Sequence, residues 1–107
     1  MLDRIEHIAS THNILIASIA HIGDGNLHPL LIANPGDTAA RDRAKIAFEE
    51  ILSAALDLGG TVTGEHGVGL LKRGGLSREL PPAVLEMHRA VKAALDPHHI
   101  LNPGKIF

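Results

Sequence analysis

A chain of 107 residues with a net charge of −2 is one small domain or a piece of a larger protein. Its ten basic and twelve acidic residues form no basic block, and with an aromatic content of 2% it lacks both a phosphate-backbone footprint and the stacking platforms that single-stranded nucleic acid needs. It has no cysteine, so disulfides and thiolate ligands are excluded and the expected setting is cytoplasmic.

Apolar content of 45% suffices for a core, which must be built from Ile, Leu, Val and Ala. No apolar run reaches the length of a membrane span, and the N-terminus reads as an amphipathic helix rather than a signal peptide. Leu2, Ile5, Ile8 and Ala9 recur at helical spacing and predict a helix over residues 2 to about 11. Residues 14–20 are aliphatic and β-branched, which predicts a well-buried strand. Ile22-Gly23-Asp24-Gly25 is turn chemistry, and residues 26–33 read as the return strand, with Pro29 marking an edge or a bulge.

Asp37 or Thr38 is expected to cap a helix running to Leu58, with Ala44, Ala47, Phe48, Ile51, Ala55 and Leu58 on one face and Gly59-Gly60 as its stop. Thr61 to Thr63 read as a short strand leading into Gly64-Glu65-His66-Gly67-Val68-Gly69. Between Leu70 and Leu80, Gly74-Gly75 is expected to break any helix. Pro81-Pro82 opens a further helix with Val84, Met87, His88, Val91 and Leu95 on one face, ended by Asp96-Pro97; the tail to Phe107 reads as a loop. The order predicts an α+β fold, with helices on one face of a mostly antiparallel sheet. A ferredoxin-like sandwich fits best, complete or lacking its N-terminal side.

His21 and His28 lie on either side of the glycine-rich turn, where a hairpin brings two imidazoles together. Glu65 is the candidate third, anionic ligand. Two neutral histidines and a carboxylate suit a catalytic divalent ion with open positions, acting as a Lewis acid. His66, expected to point away from Glu65 in an extended segment, is then free to act as a base. Asn26 either caps the turn or reaches a substrate, and Asp24 is a turn residue or orients a ligand histidine. Residue pattern alone leaves the metal site and an ordinary structural role for these side chains both open. His7, His12, His88, His98 and His99 read as surface or internally satisfied histidines. Gly64 to Gly69 lacks the Gly-Lys-Ser/Thr ending of a phosphate loop.

The segments His21-Ile-Gly-Asp-Gly-Asn-Leu-His28 and Gly64-Glu-His-Gly67, together with the tail Leu95-Asp-Pro-His-His-Ile-Leu-Asn-Pro-Gly-Lys105, resemble the C-terminal domain of FAD-linked oxidases of the vanillyl-alcohol-oxidase type. The nearest branch is that of the glycolate oxidase FAD subunit and the D-lactate dehydrogenases. Three ordered motifs over essentially the whole chain make the resemblance specific.

It implies oxidation of a small D-2-hydroxy acid, glycolate or D-lactate, to the 2-keto acid, with hydride passed to FAD. It also implies that His21, His28 and Glu65 bind Zn, Mn or Fe, that His66 takes the hydroxyl proton and that Asn26 contacts the substrate. Asn102 and Lys105 would lie near the flavin or its domain boundary. FAD in such proteins is bound mainly by an N-terminal domain that nothing here resembles. The chain is therefore expected to be the C-terminal substrate and metal domain over residues 1–107, a fragment inactive by itself. The competing readings are a catalytically inactive binding module that dimerises through an exposed sheet edge, and a self-sufficient metal hydrolase.

Overall fold

The computed structural model describes all 107 residues, which divide into two compact units, Met1–Gly64 and Glu65–Phe107. The first unit begins with helix α1, Leu2–His12. Asn13 stops it in the left-handed conformation (φ 47°), and the N–H of Ile14 donates back to the Ala9 carbonyl at 3.1 Å. Strands β1 (Leu15–His21) and β2 (Asn26–Ile32) follow as an antiparallel hairpin. Its register runs without interruption from Leu15↔Ile32 to His21↔Asn26. The connection is a single 3₁₀ turn, Ile22–Asp24, closed by Gly25 at φ +70°, a conformation that glycine adopts without steric cost. Pro29 sits in this register opposite Ser18 and makes no bulge. A two-stranded sheet gives every strand an outer edge, so its missing N–H is tolerated.

Helix α2, Thr38–Asp57, is capped by Asp37, whose carboxylate accepts the Ala40 N–H at 2.9 Å. Its end is a Schellman motif: Gly60 N–H donates to the Ala55 carbonyl and Gly59 N–H to that of Leu56, both at 2.9 Å. The core of this unit is Ile5 and Ile8 of α1 with Ala47, Ile51 and Ala54 of α2; Ile16, Leu27 and Leu31 of the hairpin pack against it. Both helices thus cover one sheet face. His12 Nε2 lies 3.0 Å from Glu50 Oε2 on α2, a structural role.

The α+β expectation holds, with a sheet of one hairpin. Four local readings change. Leu15 and Ile19 are exposed rather than buried, because the helices of this unit pack on the other face of the sheet. Leu58 is exposed at the end of α2 while Leu52 is buried. Thr61 to Thr63 form no strand; Val62 alone is buried there. The fourth concerns the second unit, where Gly74-Gly75 lies inside helix α3, Arg73–Glu79. Two glycines cost about 2 kcal/mol of helix propensity. The buried Leu76 side chain contributes about 1.5–3 kcal/mol, a gain of the same order.

Helix α4, Pro82–Leu95, starts at the Pro81-Pro82 pair as expected. Its buried residue is Leu85, whereas Met87, Val91 and Leu95 of the predicted face are exposed. His88 instead lies against the Phe107 ring, 6.2 Å between centroids, and the Arg89 guanidinium stands 5.6 Å from the centre of that ring.

Candidate metal centre

The hairpin places its side chains by alternation. Ile16, Leu27 and Leu31 turn to the helices. The ladder therefore sends Leu15, Ala17, Ile19 and His21 of β1 to the opposite face, together with Asn26, His28, Leu30 and Ile32 of β2. On that open face His21 stands across from Asn26 and His28 across from Ile19. The two imidazoles are diagonal neighbours, 5.2 Å between ring centres, with the planes at 88°. Imidazoles sharing one ion at bond lengths of about 2.1 Å have ring centres roughly 5 Å apart at a tetrahedral angle. The pair has the spacing of two ligands to a single metal.

Gly64 closes on the same end of the hairpin. A Cβ added there would fall 2.6 Å from Asn26 Oδ1 and 2.9 Å from its Cγ, so with any larger residue the Asn26 amide would have to move. Glu65 is the next residue along the chain. His21, His28 and Glu65 each offer one ligand atom, and these atoms lie within 4.8 Å of one another. Opposed ligands on one ion are about 4.2 Å apart, so modest side-chain rotation is enough for closure. Two imidazole nitrogens and one carboxylate oxygen suit Zn, Mn or Fe, with coordination positions left for an oxygen ligand.

His66 departs from the sequence expectation. Its Nε2 is 3.6 Å from Glu65 Oε1, so the two side chains converge instead of pointing apart. The segment is a series of bends, not extended backbone, and alternation does not apply. Asn102 and Lys105 belong to one turn of the tail, where the Lys105 N–H donates to the Asn102 carbonyl at 3.1 Å. Asp24 lies within the 3₁₀ turn.

Asp96, a helix terminator and part of the tail motif in the sequence, has a further role that the sequence analysis does not assign. It is buried, accepts the Ile100 and Leu101 N–H groups at 3.0 Å each, and is paired with the Lys92 ammonium. The Lys92 hydrogen bond, aided by those backbone donors, holds its carboxyl down at about 2 from 3.8, against burial that raises it. The signal was available: an Asp four residues after a Lys at a helix end, followed by Pro, is a carboxylate placed to gather free N–H groups.

The sequence pattern that defines the family "FAD linked oxidases, C-terminal domain" matches residues 1–106. The chain is 44% identical over 107 residues to the glycolate oxidase subunit GlcD of Bacillus subtilis (strain 168), covering all of this chain and 23% of that protein. It is 44% identical over 94 residues to a mitochondrial D-lactate dehydrogenase (cytochrome) of Kluyveromyces lactis, covering 88% of this chain and 16% of that one. With glycolate oxidase subunit GlcD of Escherichia coli (strain K12) the identity is 33% over 105 residues, 98% of this chain and 21% of the relative. The chain thus spans a quarter or less of the length of these curated relatives.

Proposed function

The chain belongs to the FAD-linked oxidase family, as its C-terminal domain, and from that premise we propose that it carries the metal and substrate site of an FAD-dependent D-2-hydroxyacid dehydrogenase or oxidase. The substrate is glycolate or D-lactate, the activities named for the relatives, and the product is the 2-keto acid. His21, His28 and Glu65 would hold a divalent ion, which would supply Lewis-acid chemistry to the substrate hydroxyl. Asn26, on the same sheet face as both histidines, donates to or accepts from the substrate. His66, whose Nε2 lies 3.6 Å from Glu65 Oε1, would take the hydroxyl proton as the α-hydrogen departs with its electron pair. FAD, which a separate domain would hold, would supply the acceptor for that hydride, and Asn102 and Lys105 would stand near the flavin boundary. The absence of cysteine supports a cytoplasmic setting.

The observation that carries this reading is the His21–His28 pair with Glu65 beside it. Elemental analysis of the purified chain beside His28→Ala tests it. Stoichiometric zinc, manganese or iron is expected in the parent and below a tenth of that in the variant. Equal metal content in both would refute the ligand assignment. Added FAD should leave the spectrum of the isolated chain that of free flavin.

A second reading, a binding module that pairs with a second copy of itself, is favoured by the uncharged strand β1, whose outer edge carries no proline, bulge or charge to block pairing. A metal-free dimer in sedimentation equilibrium would support it.

A further inference from the structure

The face that bears the two histidines continues as hydrocarbon. Ile19 stands directly across the ladder from His28 and is 63% exposed. Leu30, two residues beyond His28 on the same face, is 50% exposed and lies across from Ala17. Directly opposed residues in an antiparallel pair have Cβ atoms about 5 Å apart, so the Ile19 side chain borders the His28 imidazole. Neither strand carries a lysine, arginine, aspartate or glutamate. Leu15 and Ile32, also exposed, extend the same face, and a contiguous apolar patch beside polar groups marks a surface that meets something apolar.

We propose that Ile19, with Leu30 beside it, is the specificity ledge of this centre: it receives the aliphatic side chain of a monocarboxylic 2-hydroxy acid and penalises a second carboxylate. The inference rests on the metal reading above. A 2-hydroxy acid that chelates through its hydroxyl and carboxylate keeps one further substituent on C2. Over the ledge, each methylene of that substituent removes apolar surface from water, worth up to about fourfold in affinity. A distal carboxylate in the same place loses hydration and finds no cation in either strand. Lactate and its longer aliphatic homologues should therefore bind better than their dicarboxylic counterparts.

The test uses the full chain loaded with Mn²⁺, followed by electron paramagnetic resonance for metal binding and by water-proton relaxation for ligand binding. D-2-hydroxybutyrate and D-malate are titrated against the parent, Ile19→Ala and Ile19→Lys. Ile19 is exposed, so neither change threatens the core. In the parent, D-2-hydroxybutyrate should bind at least fivefold tighter than D-malate. Ile19→Ala should lose about threefold for D-2-hydroxybutyrate alone. Ile19→Lys should gain about fivefold for D-malate, the scale of one exposed charge pair. Mn²⁺ that binds in all three chains with unchanged ligand ratios overturns the ledge and leaves the metal centre standing. Failure of the parent to bind Mn²⁺ overturns both.

Discussion

The hairpin Leu15–Ile32 and the tail Asp96–Phe107 both carry motif residues, yet they are held in opposite ways. The hairpin is ordered by a ladder of seven facing residue pairs, with three inward side chains seated on a helical core. The tail has no ladder. It passes through left-handed backbone at His99 (φ 52°), Asn102 (φ 49°), Gly104 (φ 72°) and Ile106 (φ 66°), and each non-glycine residue in that region costs about 1 kcal/mol or more. What holds it is a few directed bonds: Asp96 to two backbone N–H groups, Lys92 to the Leu101 carbonyl at 2.6 Å, Arg73 to the Gly104 carbonyl at 3.3 Å, and Ile106 N–H to the Gly69 carbonyl at 2.9 Å. Distributed order should tolerate the loss of any one polar contact and fail when its apolar seat is removed. Concentrated order should do the reverse.

The largest expected effect is therefore in the seat of the hairpin. Ile51 is 5% exposed at the centre of the first unit's core. Ile51→Ala should destabilise the chain by about 2–5 kcal/mol, the range for truncating a buried aliphatic residue, in urea unfolding followed by circular dichroism. A loss below about 1 kcal/mol would show that the hairpin does not depend on this core.

That core was legible in the sequence, and so was the hairpin. The helix faces of Ile5 and Ile8 and of Ala47 and Ile51 follow from periodicity alone, and Gly23 with Gly25 marks the turn between two aliphatic runs. The pairing of His21 with His28 follows from the same turn. What was hidden depends on the number of layers. A continuous aliphatic run such as residues 14–20 reads as buried on both faces, and nothing local says that Leu15 and Ile19 lie on an open one. The same holds for α4: Met87, Val91 and Leu95 share a stripe, but a stripe states only that a face is apolar, not that a partner element lies on it. The convergence of His66 on Glu65 was hidden for another reason. Side-chain direction inside a run of bends depends on individual φ and ψ values, which glycines at 64, 67 and 69 leave free.

The tail responds next, and to pH. Asp96 titrates at about 2 in the folded chain against an ordinary 3.8. Its folded value is depressed, so the deprotonated carboxylate favours the folded state. Its contribution is fully present above pH 3.8, fades as the pH falls below that value and is lost once the pH passes through about 2. Amide exchange at Ile100 and Leu101 reports it directly. Asp96→Ala should cut protection there on the order of tenfold, and the difference between parent and variant should vanish toward pH 2. Protection in the hairpin should be unchanged by the substitution. Equal loss in both regions would mean that the tail is not held by Asp96 in particular.

The smallest effect on stability falls on Gly64, and it is the sharpest test of how the site is built. A methyl group here meets Asn26 Oδ1 at 2.6 Å and Nδ2 at 3.0 Å, contacts that the amide can relieve by swinging aside. Gly64 has no positive φ to defend, so Gly64→Ala also reduces the entropy of the unfolded chain, worth up to about 1 kcal/mol in favour of folding. The two terms oppose, and net stability should move by less than about 1 kcal/mol. The displacement itself is not cancelled. Asn26 stands across from His21, and Glu65 is attached to the residue that has been pushed. Mn²⁺ affinity should therefore drop severalfold in a chain whose unfolding curve barely moves. An unchanged affinity would show that the close passage of Gly64 over Asn26 does not position the carboxylate of Glu65. A large loss of stability would show that Asn26 is fixed too firmly to yield, and that the hairpin's polar end is as rigid as its apolar seat.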